Sequence, residues 1–225
     1  MPTVPLKIDF VSDVACPWCA VGLGALEEAL RRTGDAVPVE LRFEPFELNP
    51  DMDAEGKDAT AYMTQKYGST PEQQASARAN IAARGAEVGF TFKPEGRGRI
   101  WNTFDAHRLL YWADVSGSGK QHALKKALLV AYHGRAERIG EHAVLEGVAA
   151  EVGLDAAEAR AILASDRYTD EVRAREQHWQ QLGIHAVPSV VINGRHLIQG
   201  GQPPEAFEQA LRKIAAAEAG AETTA

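Results

Sequence analysis

Only two of the 225 residues are cysteines, Cys16 and Cys19, and they stand in DVACPWC with Pro17 and Trp18 between them. A C-x-x-C pair can clip a metal, staple a fold or cycle between dithiol and disulfide. The residues on its C-terminal side help to separate these. Ala20, Leu23, Leu26 and Leu30 recur at helical spacing, with Glu27, Glu28, Arg31 and Arg32 on the polar side, so an amphipathic helix begins at the cysteines. With Cys16 as N-cap, Pro17 falls at the first helical position, where its missing N–H would be unpaired anyway. Cys16 then meets free backbone N–H groups and the positive end of the helix dipole, and both favour thiolate over thiol. Cys19 lies three residues on, on the same face and within disulfide reach. The spacing predicts Cys16 as the exposed nucleophile and Cys19 as the resolving thiol that breaks the mixed disulfide.

Zinc usually takes four ligands in a structural site. Two cysteines with no histidine pair at ligand spacing fall short of that, and no metal site is expected. A purely structural disulfide is rare in a reducing compartment.

The elements around the pair follow from periodicity. Lys7 to Val11 alternates around Ile8 and Phe10 and reads as a strand, and Val37 to Phe46 alternates as a second. With the cysteine helix between them, ending at Gly34, they form a βαβ unit. Residues 51 to 165 are largely helical. Thr70-Pro71-Glu72-Gln73 is a helix start, with Thr as N-cap and Gln at N3. Further helices fit 102–113, 122–133, 141–152 and 155–164. The last part has a helix to Leu182, a stretch over 184–192 with β-branched residues around Pro188, an Asn193-Gly194 hairpin turn, a returning strand over 195–198 and a helix from Pro203 or Pro204.

Val187-Pro188 stands at the start of the strand in that stretch, after a helix and before a hairpin. Pro188 is a candidate cis proline. Beside the cysteines, that geometry would free the Val187 backbone to pair with an extended substrate; the alternative is a trans proline that merely starts a strand. Trp18 is read as an apolar platform beside the nucleophile, against simple packing at the helix start. It adds no charge to stabilise a thiolate. His107 shares a helix face with Phe104 and Tyr111. It either lines the cleft as a substrate-binding residue or, as burial tendencies favour, packs in the core. His185 carries the same ambiguity. Asn102 reads as a helix cap. Asp13 reads as a loop residue, though its charge, if close, would oppose the thiolate.

Composition bounds the partners. Apolar residues make up 45% and charged residues 24%, with 24 basic and 31 acidic side chains and a formal charge of −7. That argues against nucleic acid, which needs a basic surface. No run approaches the ~18 apolar residues of a membrane span, and MPTVPLKIDF lacks the charged and apolar regions of a signal peptide. No membrane partner and a cytoplasmic location are expected.

DVACPWC, NTFDAHRLLYWA, AVPSVVING and GGQPPEAF, spread over most of the chain, resemble the DsbA-like branch of the thioredoxin superfamily, and within it the FrnE-like group. The resemblance implies an α/β fold: a thioredoxin fold interrupted by an all-helical insertion domain. The thioredoxin-like part would comprise 1–50 and 166–217, the insertion 51–165, and a frayed tail 218–225. It also implies a redox-active Cys16–Cys19 pair faced by cis-Pro188. Some relatives carry an additional cysteine pair, which this chain lacks. Kappa-type glutathione transferases and chromene-carboxylate isomerases share the fold but lack the C-x-x-C that this chain keeps.

The expected activity is thiol–disulfide exchange, as a reductase or isomerase, with protein or small-molecule thiols and disulfides, glutathione among them, as partners and no cofactor. One alternative is a glutathione- or thiol-dependent transferase or isomerase acting on a small aromatic molecule. Another is a non-enzymatic binding module.

Overall fold

The computed structural model describes residues 5–222. Its central strand is β1 (Leu6–Ser12), which turns Leu6, Ile8 and Phe10 into one apolar core and Val11 into another. Burial on both faces is what an interior strand requires. β1 pairs in parallel with β2 (Val39–Pro45), from Leu6 opposite Val39 to Ser12 opposite Pro45. On its other side it pairs antiparallel with β5 (Ser189–Ile192), which pairs antiparallel with β6 (His196–Gln199). The sheet order is β2-β1-β5-β6. Asn193 and Gly194 join β5 to β6 at φ of 51° and 64°, the left-handed pair that a two-residue type I′ turn demands.

Helix α1 (Pro17–Thr33) and helix α9 (Pro204–Glu222) cover one face of the sheet. Leu23 and Leu26 of α1 and Phe207, Leu211 and Ile214 of α9 share a core with Ile8 and Phe10. On the opposite face α8 (Thr169–Gln181) lays Trp179 against Val11, Phe46, Ile184 and Val191.

Between β2 and α8 lies the insertion, comprising α2 (Ala59–Tyr67), α3 (Pro71–Glu87), α4 (Phe104–Val115), α5 (Gln121–Leu129), α6 (His142–Glu151) and α7 (Ala156–Leu163). The Thr70–Gln73 capping box forms as the sequence predicts: each side chain accepts from the other's backbone N–H. A π-helical turn, Val130–Gly134, follows α5 directly. The insertion is not all-helical, because β3 (Lys57–Asp58) and β4 (Arg99–Ile100) pair as a short antiparallel ladder.

Contacts on both β2 and the cysteine loop join the insertion to the thioredoxin-like part. Gln121 of α5 accepts from the Phe43 N–H at 3.0 Å and donates to the Phe43 carbonyl at 2.9 Å, which satisfies the outer edge of β2. Val14 and Ala15, in the loop that leads to the cysteines, pack into the helical core with Leu109, Leu128 and Tyr132.

Within the β-branched stretch 184–192 the strand is Ser189–Ile192, directly after Pro188, which has no N–H to give a ladder. One boundary differs from the sequence reading. The tail expected to fray from residue 218 is helical through Glu222, because Glu218 accepts from Arg195 at 2.7 Å; residues 223–225 of that tail lie outside the described residues.

Candidate active site

Cys16 is the N-cap of α1, with extended backbone (φ −88°, ψ 114°) and Pro17 immediately inside the helix. Its thiol donates to the Val187 carbonyl oxygen at 3.6 Å. The Val187–Pro188 peptide bond is cis. Gly22, two turns into α1, lets the helix come against the proline: a methyl group on Gly22 would lie 2.9 Å from Pro188 Cγ. A residue without Cβ at position 22 thus sets how closely the cysteine helix meets the Val187–Pro188 loop.

The two sulfurs have unequal surroundings. The adjacent Cys19 thiol, interacting with the Cys16 sulfur, lowers the Cys16 pKa below that of a free thiol. Burial opposes this, the Cys19 and Trp18 backbone amides assist it, and the Asp13 charge opposes it. Burial, followed by the Cys16 sulfur, pushes Cys19 well above the ordinary thiol range. The backbone amides at the helix start supply the expected stabilisation. The expectation of an exposed nucleophile does not hold for this reduced form. Cys16 is 4% exposed and Cys19 is fully buried, as part of the apolar core.

Asp13 is not a simple loop residue. It is fully buried, and its Oδ1 accepts from the Ala15 N–H at 2.9 Å and the Thr103 hydroxyl at 2.8 Å. Its Oδ2 accepts from the Leu48 N–H at 2.7 Å. Burial would raise this carboxyl, but the His107 ring and the Leu48 and Ala15 amides outweigh it and hold the pKa below the usual aspartate value. One carboxylate therefore ties the cysteine loop to the segment after β2 and to the start of α4.

The insertion grips the same loop from outside. His133 Nε2 donates to the Val14 carbonyl at 2.9 Å, and Arg97 donates to the Ala15 carbonyl. Burial, with the Arg97 charge, pushes His133 down to about 3, so its ring is neutral at physiological pH. Lys125 of α5 is also completely buried nearby, where burial lowers its pKa and the Cys19, Asp13 and Cys16 charges pull it back up.

Beside Pro17 opens a cleft of about 810 Å³ between α2, α3 and the 92–98 loop. Met63, Ile81, Ala82 and Phe92 give it apolar walls, and Arg78, Lys93 and Arg97 put cations on it. His107 is not on this cleft. It is 2% exposed and sits behind Asp13, with Nε2 at 3.5 Å from Oδ1, so its assignment to substrate binding is corrected to the core position that burial tendencies favoured. His185 is exposed, and Trp18 is half-buried against Gly201. Asn102 bridges two segments, accepting from the Phe104 N–H at 2.8 Å and donating to the Met52 carbonyl at 2.9 Å.

Asp13, Lys125, Arg97 and His133 are the residues that sequence reasoning undervalued or missed. Lys125 left a signal: it falls on the apolar stripe of α5, between Gln121 and Leu129, where a lysine breaks the pattern. Arg97 and His133 left none, since only the folded insertion brings them to the loop.

The family model of the DSBA-like thioredoxin domain matches residues 7–212, and the chain belongs to that family. It is 28% identical over 214 residues to the uncharacterized protein YwbO of Bacillus subtilis (strain 168), covering 93% of this chain and 96% of YwbO. Its structure is similar to that of the probable DsbA oxidoreductase SCO1869 from Streptomyces coelicolor, with a TM-score of 0.85 and 35% identity over 95% of this chain and 91% of the other. The cytosolic disulfide reductase DsbM from Pseudomonas aeruginosa, solved with GSH, shares the fold at a TM-score of 0.62 and 18% identity, over 92% of this chain and 98% of DsbM. No helix among the described residues is long and apolar enough to cross a membrane.

Proposed function

We propose that the protein is a cytoplasmic thiol–disulfide oxidoreductase acting as a reductase or isomerase through the Cys16–Cys19 dithiol. The observation that carries this reading is the asymmetry of the pair: Cys16, at the helix N-terminus, is lowered, while Cys19 behind it is raised. A thiolate at Cys16 attacks one sulfur of a substrate disulfide, the S–S bond breaks, the other substrate sulfur leaves as thiolate, and a mixed disulfide remains. Cys19 then attacks Cys16 Sγ, the substrate thiol leaves, and the pair is left oxidised for an external thiol to reduce. A low-pKa attacking thiol and a buried resolving thiol held beside it suit these two steps.

Val187 and Pro188 form the substrate-facing wall in this reading, because the Val187 carbonyl already meets Cys16 Sγ and an incoming chain could use it. Trp18 contributes apolar surface beside the nucleophile. The cleft beside Pro17 suits a small acidic thiol: Arg78, Lys93 and Arg97 outnumber Asp58 and Glu95 on its lining, next to apolar walls. Glutathione has that chemistry, and the structural relative DsbM was solved with it.

Insulin reduction tests the proposal. Cys16→Ser abolishes turnover, and Cys19→Ser accumulates a covalent protein–substrate disulfide visible on non-reducing gels. Full turnover by Cys16→Ser would overturn the reading. The reduction potential of the pair decides direction: a value near the cytosolic glutathione poise supports a reductase or isomerase, and a far more oxidising value supports an oxidase.

The size of the cleft favours one second reading, a glutathione- or thiol-dependent transferase or isomerase for a small aromatic molecule. Conversion of an aromatic substrate that survives Cys19→Ser distinguishes it.

A further inference from the structure

Two buried cations of the insertion are handled in opposite ways. Arg108, 4% exposed, donates to the carbonyls of Ile162, Ser165 and Arg167 and to Asp105, as a structural buried charge should. Lys125, 0% exposed, has no hydrogen-bond partner for Nζ among the described residues. A charged ammonium in that state costs far more than a neutral amine, and burial lowers the Lys125 pKa accordingly.

Its position gives the amine a use. Lys125 lies on the buried face of α5. Leu129, one turn on, packs in the same cluster as Cys16 and Cys19, so that face of α5 looks onto the dithiol. The ionisable groups around Nζ are Cys19 and Cys16 of α1, Asp13 of the loop before it, and His133 of the π-turn. The other charged groups where α5 meets α1, namely Glu27, His122 and Lys126, pair with one another on the outer side. Gln121 is committed to the Phe43 backbone.

We propose that Lys125 is the proton acceptor for Cys19 in the resolving step, an inference that rests on the dithiol function proposed above. Asp13 is a poor candidate for that task. Both of its oxygens are engaged by donors, and the same donors stabilise its ionised form. Nζ makes no hydrogen bond to Cys19 Sγ in the resting structure, so the transfer runs by rotation of the flexible four-carbon stem or through one water. The Cys19 thiol proton passes to the neutral amine, and the resulting ammonium is stabilised by the Asp13 carboxylate. Cys19 Sγ bonds to Cys16 Sγ, and the bond from Cys16 Sγ to the substrate sulfur breaks. The substrate sulfur leaves with the electron pair and takes up the proton that Lys125 held, directly or through solvent. The dithiol is oxidised, the substrate disulfide is reduced, and the lysine is returned neutral.

Dithionitrobenzoate, an aromatic disulfide that releases one coloured thiolate at each step, separates attack from resolution in a stopped-flow trace. In the native protein the first phase reports Cys16 and the second reports Cys19. Lys125→Met keeps an unbranched side chain only one atom shorter and removes the base. It is expected to leave the first phase within about twofold and to slow the second about 10²-fold at neutral pH, the usual scale of a lost general base. The rise of second-phase rate with pH moves upward, towards the ionisation of Cys19 itself. Lys125→Arg retains charge but cannot give up its proton at accessible pH, so it fails like Lys125→Met. Recovery of the second phase by Lys125→Arg, or an unchanged second phase in Lys125→Met, overturns the proposal while leaving the dithiol function intact. Absence of both phases from the native protein overturns the two together. Should a variant fail to fold, the native second phase still decides. A rate that levels off below the Cys19 ionisation supports the amine, and one that follows the thiol alone overturns it.

Discussion

Cys16 Sγ and the Val187 carbonyl oxygen lie 3.6 Å apart across 171 residues of sequence. A helix N-terminus and a cis Val187–Pro188 bond therefore share one small space, and any group that approaches the sulfur also meets that carbonyl. The closeness depends on a backing contact, Gly22 against Pro188.

The first prediction uses that contact. A glycine inside a helix is ordinarily improved by alanine, by about 0.5–1 kcal/mol. Gly22→Ala should do the reverse, because its methyl would stand 2.9 Å from Pro188 Cγ and the loop has to move. Overpacking of this kind costs roughly 1–3 kcal/mol. Gly147 in α6 has open space around it and is the control: Gly147→Ala should stabilise. Urea midpoints of the two variants should shift in opposite directions, and a shared direction would refute the role given to Gly22.

Asp13 offers a second test, because its charge and its hydrogen bonds act on different observables. The charge raises the Cys16 pKa, and the carboxylate oxygens hold three donors. Asp13→Asn removes the charge and turns an NH2 group towards one of those donors. The Cys16 pKa should fall, read from thiolate ultraviolet absorbance against pH. Unfolding free energy should drop by about 1–3 kcal/mol, the cost of a buried polar group left unsatisfied. A Cys16 pKa that rises in this variant contradicts the assigned sign.

Glu47 carries the pH prediction. It is buried beside Glu176, and Arg173 donates to both. Burial, then the Glu176 charge, pushes Glu47 up to about 8 against the pull of Arg173. In the unfolded chain it titrates near the usual glutamate value of about 4.3. Between those limits the native state binds more protons, so this group's contribution is fully present below about 4.3 and is lost as pH rises through about 8. Glu47→Gln mimics the protonated form. Its urea midpoint should match the native protein in acid and exceed it above pH 8; coincident curves across the whole range would exclude the effect.

A good part of the fold was legible from periodicity and turn chemistry. The alternation around Ile8 and Phe10, the Thr70–Gln73 capping box and the Asn193–Gly194 hairpin all depend on interactions within a few residues, so a linear reading reaches them. The helix start at Cys16 belongs with them, because Pro17 and the apolar stripe beyond it fix it locally. The short β3–β4 ladder escaped, since a pair of two-residue strands has no period to detect.

The sequence by itself determined which sulfur sits at the helix N-terminus and which lies a turn behind, because three residues of α-helix allow no other order. Tertiary structure alone decided what surrounds them. Asp13 looks like a loop residue until Leu48 and Thr103, brought from distant segments, donate to it. His107 is open between cleft and core until α4 turns it behind that carboxylate. Lys125 only breaks an apolar stripe until α5 buries it beside the dithiol and leaves Lys126 outside with Glu27. Charge and pKa depend on neighbours within a few ångströms, and for these residues the deciding neighbours are 35 or more positions away in the chain.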